Sequence, residues 1–379
     1  MSIKNFDAFS YIGKYQYLVI KNLGGLIKKL KSENYNLLII DSNISRKFPD
    51  LEKSLDLKKL KIEVNNETKS VDKLIYFLSL FSEFGLTRNS KILVVGGATM
   101  QDMFATVCCL YHRGINWYFV PTTLLAQGDS CIGSKTSLDG FGKKNQFGVF
   151  YPPLKIFVCR DFLFTLPKVE IYSGIGDIIH YLLPYDENNN CLKTILDLSR
   201  KNNINQLIDF SVFLSSKAMK IKSELIKIDE FDKGPRKIFN FGHTFGHVIE
   251  KSSVKEVPHG IAVLCGLYIA LNFKKKSINI SNVIELQKNI LKELIEFIIR
   301  DQDIVMSIKS SNLQENLISD KKNLFPNKIR VILPTSKDET LWSSKNQVSK
   351  YGLNFFDYEI DICLKAFEYL KDIKGITFC

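Results

Sequence analysis

Apolar and polar positions follow one rhythm in the first part of this chain and another in the second. The stretch "YNLLIIDSN" (35–43) is an unbroken apolar run ending in Asp and Asn, the pattern of a buried parallel strand with polar groups at its carboxyl end. "SVDKLIYFLSLFSEFGL" (70–86) has helical spacing and stops at a glycine. "KILVVGGATMQDMFATVCCLYHRG" (91–114) reads as strand, glycine turn and helix, and "NWYFVPTTLLAQ" (116–127) as a further strand that turns at Pro121. Strand and helix thus alternate up to about residue 160, which predicts an open α/β domain.

After Leu166-Pro167 the spacing becomes helical. Segments 191–227, 243–252, 259–274 and 281–312 all read as helices. "KIRVILP" (328–334) is one strand-like run, an amphipathic helix over about 357–372 closes the chain, and "DENNNC" (186–191) reads as a surface loop. The expected organisation is an α/β domain over 1–166 and a mainly helical domain over 167–379.

Composition narrows the class. The 379 residues, 45% apolar and 24% charged, supply a core that needs neither disulfides nor a metal to hold it. Eight cysteines, at positions 108, 109, 131, 159, 191, 265, 363 and 379, form no C-x-x-C pair. That usage fits a reduced, cytoplasmic protein and speaks against a zinc–thiolate site. No uncharged apolar run reaches about 18 residues, so no membrane partner is expected. The opening stretch has no basic region followed by an apolar one, so no signal peptide is expected either. The net charge of +12 comes from lysines scattered among Asn and Ile, as in "LGGLIKKLKSENY" and "FKKKSINISN". An anionic small substrate, not nucleic acid, is the expected partner.

Four stretches bear chemistry. "VVGGATMQD" follows a strand and opens a helix, so its N–H groups could face a pyrophosphate, although such a turn also serves chain geometry alone. "DSCIGSKTSLDGFGKKNQFG" (129–148) carries Lys135, Lys143, Lys144 and Asn145 on a glycine-rich loop, suited to an anion or simply solvated. "FNFGHTFGH" sets His243 and His247 four residues apart on one helical face, a spacing that can chelate a metal. Thr244 stands where a zinc peptidase has its glutamate, so a peptidase is not supported. His259 of "VPHGIAVLCG" and Asp177 of "SGIGDIIHYL" could join the pair, and a carboxylate with imidazoles suits Zn²⁺ or a similar ion. Any one of these histidines alone reads as a hydrogen-bonded core residue. "DEFDKGPRKIFN" puts Arg236 and Lys237 one turn ahead of His243, and arginine favours bidentate capture of carboxylate or phosphate.

Together, "YHRGINWYFVPTTLLAQGDSCIGSKTSLDGFGKKNQFGVFYPP" and "RKIFNFGHTFGHVIE…PHGIAVLCG" resemble 3-dehydroquinate synthase and its sugar phosphate cyclase relatives, over about residues 35–335. The resemblance implies a Rossmann-like α/β N-terminal domain that binds NAD and a mainly α-helical C-terminal domain that binds metal and substrate, with the active site between them. It also implies one divalent metal, Zn or Co, an anionic sugar phosphate substrate and a homodimer. The implied metal ligands are Asp177, His243 and His259, with His247 beside the substrate phosphate in proton transfer. Arg113 is implied to reach the neighbouring subunit's phosphate pocket, Lys135 and Asn145 to contact substrate phosphate and hydroxyl, and Lys222, Arg236 and Asn240 to hold a substrate carboxylate. Asp129 and Lys144 would border nicotinamide and substrate. The implied NAD contacts are Asp41, Asn43, Glu67, Gly97, Ala98, Asp102, Thr122, Thr123, Leu125, Thr165 and Leu166, with "NNETKS" one residue short at Glu67. Lys321 or Lys322 would complete the phosphate pocket.

The implied reaction oxidises a secondary alcohol with NAD, eliminates phosphate, returns the hydride and closes a ring by an intramolecular aldol step. The expected enzyme is a phosphate-eliminating carbon–oxygen lyase acting as 3-dehydroquinate synthase on 3-deoxy-D-arabino-heptulosonate 7-phosphate, in the shikimate route to aromatic amino acids. The alternative is a divergent cyclase making another cyclitol or cyclic ketone. A non-catalytic metabolite binder and an iron-dependent alcohol dehydrogenase are more distant readings, the latter lacking the "GSKT" and "GKKN" matches. Three departures from the family pattern stand out. Asp177 replaces the usual Glu, His180 replaces a lysine, and Ala98 and Gln101 replace two glycines of the turn, which is expected to narrow the space near the cofactor.

Overall fold

The computed structural model describes residues 5–186, 189–273, 282–319, 327–344, 349 and 351–379. The chain forms two compact units, residues 1–166 with 222–231, and 167–221 with 232–379. The division expected after Leu166 assigned 222–231 to the second domain. Those residues, the end of one long helix and the loop after it, pack with the first unit instead.

The first unit runs β1 (Phe6–Ser10), β2 (Gly13–Ile20), α1 (Leu23–Lys31), β3 (Leu37–Asp41), α2 (Ser42–Lys47), α3 (Pro49–Lys53), β4 (Lys58–Ile62), α4 (Val71–Glu83), β5 (Lys91–Gly96), α5 (Ala98–Leu110), β6 (Asn116–Pro121), β7 (Leu138–Gly140), β8 (Lys143–Phe147) and β9 (Lys155–Cys159). Seven strands make one sheet in the order β1-β2-β9-β6-β5-β3-β4. All its pairings are parallel except β1 with β2. The unbroken apolar runs of β3 and β5 are explained by burial on both faces, since Leu37 to Ile40 and Ile92 to Val95 are all fully buried. The antiparallel β1–β2 hairpin departs from the expected strand–helix alternation. Tyr15 and Tyr17 of β2 are buried on either side of exposed Gln16, the period-two signal of a half-covered edge. β4 lies on one side of β3 and β5 on the other, so the winding reverses between β3 and β5. Open α/β sheets bind ligands at the carboxyl ends of such strands.

The second unit runs α6 (Lys168–Leu182), α7 (Asn190–Arg200), α8 (Ile204–Ile226), α9 (His243–Ser252), α10 (His259–Asn272), α11 (Asn282–Asp301), β10 (Met306–Ile308), α12 (Leu313–Ile318), β11 (Lys328–Thr335), β12 (Gly352–Glu359), α13 (Ile360–Ala366) and β13 (Ile376–Phe378). Several expected boundaries change. The 191–227 segment is two helices, parted at Lys201–Asn203 where Asn202 takes a left-handed φ of 50°. The 281–312 helix ends at Asp301, and β10 then pairs in parallel with β13. The 357–372 helix begins only at Ile360, because 352–359 is β12, antiparallel to β11. Asp186 and Asn189, expected on a surface loop, are buried, and the Asp186 carboxylate accepts from the Cys191 and Leu192 N–H groups at the start of α7. No described helix is long and apolar enough to cross a membrane.

α6 and α10 are buried nearly all round, Ile171–Leu182 and Gly260–Leu271, which is why they carry apolar residues on every face. α10 packs on both α6 and α9. The contacts are backbone to backbone. A Cβ on Gly260 would overlap the Ser173 carbonyl oxygen, one on Gly176 the Gly260 carbonyl, and one on Gly266 the Gly242 carbonyl. The Ser173 hydroxyl accepts from the Gly260 N–H at 3.1 Å, fastening the crossing. The replacement Gly260→Ala is therefore expected to destabilise by about 1–3 kcal/mol or more. Gly24→Ala, on exposed α1 with no atom nearer than 3.8 Å, is expected to stabilise by about 0.5–1 kcal/mol. Urea unfolding of both variants checks this, and equal effects would contradict the close crossing.

Candidate functional site

The glycine crossings bring five ionisable side chains of the second unit to one place. Asp177 and His180 sit three residues apart on α6, His243 and His247 four apart on α9, and His259 opens α10. Gly242, at φ +80°, supplies the left-handed turn that starts α9 at His243. His259 Nε2 lies 3.4 Å from Asp177 Oδ1, and His243 Nε2 lies 3.8 Å from the same oxygen. Their other ring nitrogens face back into the protein. His259 Nδ1 is 3.0 Å from Glu250 Oε2, and His243 Nδ1 is 3.3 Å from the Phe241 carbonyl oxygen. Such contacts fix the tautomer with the proton on Nδ1 and leave the Nε2 lone pair toward Asp177, the arrangement that surrounds metal-ligating histidines.

His247 is half-buried, its ring 5.6 Å from that of His243 and 5.5 Å from that of His259. His180 is buried, with its ring 4.6 Å from His243. Asp177, His180 and His243 each offer a ligand atom within 4.8 Å of the others. Glu250 was not singled out from sequence, although its place seven residues after His243 puts it on the same helical face. Arg236 is buried, and Asn240 donates from Nδ2 to the Lys237 carbonyl at 2.9 Å. Lys321 and Lys322 lie outside the described residues.

The nucleotide candidates of the first unit follow the carboxyl ends of several strands: Asp41 and Asn43 at β3, Glu67 after β4, Gly97, Ala98 and Asp102 after β5, Thr122, Thr123 and Leu125 after β6, and Thr165 and Leu166 beyond β9. The Asp41 carboxylate accepts from the Asn43 N–H at 2.8 Å, and burial raises its pKa. A Cβ on Gly96 would lie 3.7 Å from that of Asp41, and one on Gly97 would lie 3.1 Å from the Thr123 side chain, so the ends of β3, β5 and β6 stand close together. Ala98 starts α5, and the Thr122 N–H donates to the Gly96 carbonyl at 3.0 Å. Leu125 precedes the Ala126–Ser130 turn. Gln101 donates to the Ser130 carbonyl and accepts from the Ser130 hydroxyl, both at 2.7 Å. Thr165 takes the Lys47 ammonium on its carbonyl, and Leu166 is half-buried beside it.

Asp102 lies in a network that sequence reading missed at its centre. Lys69 Nζ sits 2.9 Å from Asn145 Oδ1 and 3.3 Å from Asp102 Oδ2, and the Ser137 hydroxyl donates to both acceptors. Burial raises the Asp102 pKa, opposed by Lys69 and Ser137. The only sequence cue to Lys69 was its nearness to Glu67, which is itself exposed. Lys222, expected on a substrate carboxylate, donates to Asp129 Oδ1 at 2.8 Å and to its carbonyl at 2.7 Å. Lys135, Lys144 and Asn145 are exposed, and so is Arg113, held with His112 at positive φ of 62° and 50°.

The 3-dehydroquinate synthase N-terminal model matches residues 59–173, and the C-terminal model matches residues 174–323. The 3-dehydroquinate synthase of Alkaliphilus metalliredigens is 33% identical over 338 residues, 86% of this chain and 89% of that protein. This chain belongs to the 3-dehydroquinate synthase family. It is an enzyme of the 3-dehydroquinate synthase type, a lyase-type cyclase. Among solved structures, 2-deoxy-scyllo-inosose synthase complexed with carbaglucose-6-phosphate, NAD⁺ and Co²⁺ shares the fold at a TM-score of 0.78, with 19% identity over 96% of this chain and 99% of that one. The 2-epi-5-epi-valiolone synthase of Streptomyces hygroscopicus with NAD⁺ and Zn²⁺ bound aligns at 0.71, with 17% identity over 97% and 99%. In this dehydroquinate synthase-type chain, Lys69→Met is expected to cost about 1–3 kcal/mol at neutral pH. Without Lys69 the Asp102 carboxyl holds its proton still better in the folded state, so the deficit grows as pH rises through that raised pKa and shrinks in acid. Urea unfolding at pH 4.5 and 7.5 reads this, and an equal deficit at both would contradict the pairing.

Proposed function

We propose that this enzyme is 3-dehydroquinate synthase, cyclising 3-deoxy-D-arabino-heptulosonate 7-phosphate with loss of phosphate. The observation that carries the reading is the convergence of His243 and His259 on Asp177, with both Nδ1 atoms tied back. A carboxylate and two imidazoles so oriented fit a divalent ion, Zn²⁺ or Co²⁺, and the glycine turn after β5, at the point where the strand order reverses, suits a dinucleotide. When bound, NAD supplies a reversible hydride acceptor and the ion supplies positive charge beside a substrate oxygen.

The chain's own residues do the rest. Asp41, Asn43, Thr122, Thr123, Leu125, Thr165 and Leu166 hold the nucleotide, with Asp102 kept in place by Lys69. Lys135 and Asn145 engage the substrate phosphate and a hydroxyl. Lys222, Arg236 and Asn240 hold the carboxylate, Lys222 exchanging its contact to Asp129 for one to substrate. His247 takes and returns a proton beside the leaving phosphate. Arg113, exposed in a left-handed turn, serves a second copy of the chain in a homodimer. The eight free cysteines suit the reducing cytoplasm.

The second reading is a cyclase for a different sugar phosphate, favoured by His180 and Asp177 where relatives carry Lys and Glu. Phosphate release by purified protein with NAD⁺ and Co²⁺ or Zn²⁺ separates the two. Turnover of the heptulosonate phosphate is expected, with Arg236→Met lowering kcat/KM about ten- to hundredfold, since a hydrogen bond to a charged group contributes about 1.5–3 kcal/mol. Turnover of sedoheptulose 7-phosphate or glucose 6-phosphate alone would favour the second reading, and release from none would overturn both.

A further inference from the structure

His180 has no duty in the mechanism above, yet it is buried inside the cluster. We propose that His180 is itself a metal ligand, so that the ion is held by Asp177, His180, His243 and His259, one carboxylate and three imidazoles. The inference rests on the reading that this cluster binds a divalent ion.

α6 places Asp177 and His180 one turn apart on the same face. Both side chains are only 2% exposed, so the face points into protein and not into solvent. Each of Asp177, His180 and His243 offers a ligand atom within 4.8 Å of the other two. The His180 and His243 rings stand edge to face with centroids 4.6 Å apart, closer than the 5.5 Å between His243 and His259. Donors around a tetrahedral ion at about 2.0–2.1 Å stand about 3.4 Å from one another. The His259–Asp177 separation of 3.4 Å already has that value, and the His243–Asp177 separation of 3.8 Å is near it. The His180 ligand atom lies within 4.8 Å of those of Asp177 and His243, within reach of the same ion. A cavity of about 10 Å³, lined in part by Tyr181, Pro184 and Tyr351, borders the ring.

Two departures from the family pattern then explain each other. A lysine at position 180 would bring an ammonium, which has three donors and no lone pair to give. A neutral imidazole brings a lone pair. Asp177 is one methylene shorter than Glu, which draws an ion toward α6, and α6 is where His180 waits. Four protein donors would complete a tetrahedron and leave no position for a substrate oxygen, so an ion at work here must accept five or six ligands. The donor set, nitrogen-rich with one hard oxygen, suits Co²⁺ as well as Zn²⁺.

The test compares wild-type protein with His180→Ala, His180→Lys and His243→Ala, each loaded with Co²⁺. Affinity is read by chelator competition, coordination by the visible absorption spectrum, and folding of the metal-free proteins by circular dichroism. Both His180 variants are expected to bind Co²⁺ at least about tenfold more weakly. Their visible band is expected to shift and strengthen as the coordination number falls. His180→Lys restores the residue of the family pattern and serves if His180→Ala fails to fold. His180 variants with unchanged affinity and spectrum, beside a His243→Ala protein that has lost the ion, would overturn the inference and make His180 a core histidine. A wild-type protein that binds no ion would overturn the proposed function as well, a different result from the first.

Discussion

Three helix backbones in the second unit lie as near to one another as peptide groups can, and the proposed chemistry depends on that. At Gly176, Gly260 and Gly266 any side chain would run into a neighbouring carbonyl. Were α6, α9 and α10 spaced by ordinary side chains, 8–10 Å apart is about what packed helices keep. The histidines that open α9 and α10 would then fall short of an aspartate on α6. Close approach is thus what turns residues distant in sequence into one ligand set. It also explains the burial: α6 and α10 are surrounded on every side, so the cluster sits in a region of low dielectric where a bound ion's charge is felt strongly.

The first unit solves a different problem. Its strand order reverses between β3 and β5, which opens a crevice at their carboxyl ends without any loop having to be long. Asp41 is the last residue of β3, and Gly97 follows the last residue of β5 and caps α5. Beside it, Lys69 neutralises Asp102 and ties it to Asn145, linking a helix, the segment before α4 and the glycine-rich loop. Lys69 also lies 3.8 Å from Asp139, so this partly buried ammonium ties the loop at two carboxylates.

Much of this was legible in the sequence. Buried parallel strands announce themselves as unbroken apolar runs; β3 was read so, and β5 and β6 were read as strands beside a glycine turn and a turn at Pro121. The histidine spacing on α9 and the glycine neighbours of His259 marked the cluster before any coordinates. The misses have separate physical causes. The hairpin β1–β2 and the late strand β12 are half-covered edges that mix buried, half-buried and exposed positions, so their signal is weak beside a helix's. The break between α7 and α8 depends on one left-handed asparagine inside a helical pattern. Lys69 and Glu250 act through partners far away in the chain or on another helix, and a single sequence does not report such pairs. Asp186 shows the reverse: an Asn-rich stretch looked solvated, yet its first residue is spent capping a helix inside the protein.

The central claim is that Asp177 and the histidines of three helices hold a divalent ion through nitrogen and oxygen alone. X-ray absorption at the zinc edge of Zn²⁺-loaded protein tests it most directly. A first shell of nitrogen and oxygen at about 2.0–2.2 Å, with outer-shell scattering from at least two imidazoles, is the expected result. A sulfur shell at about 2.3 Å, or a spectrum without imidazole scattering, would contradict it.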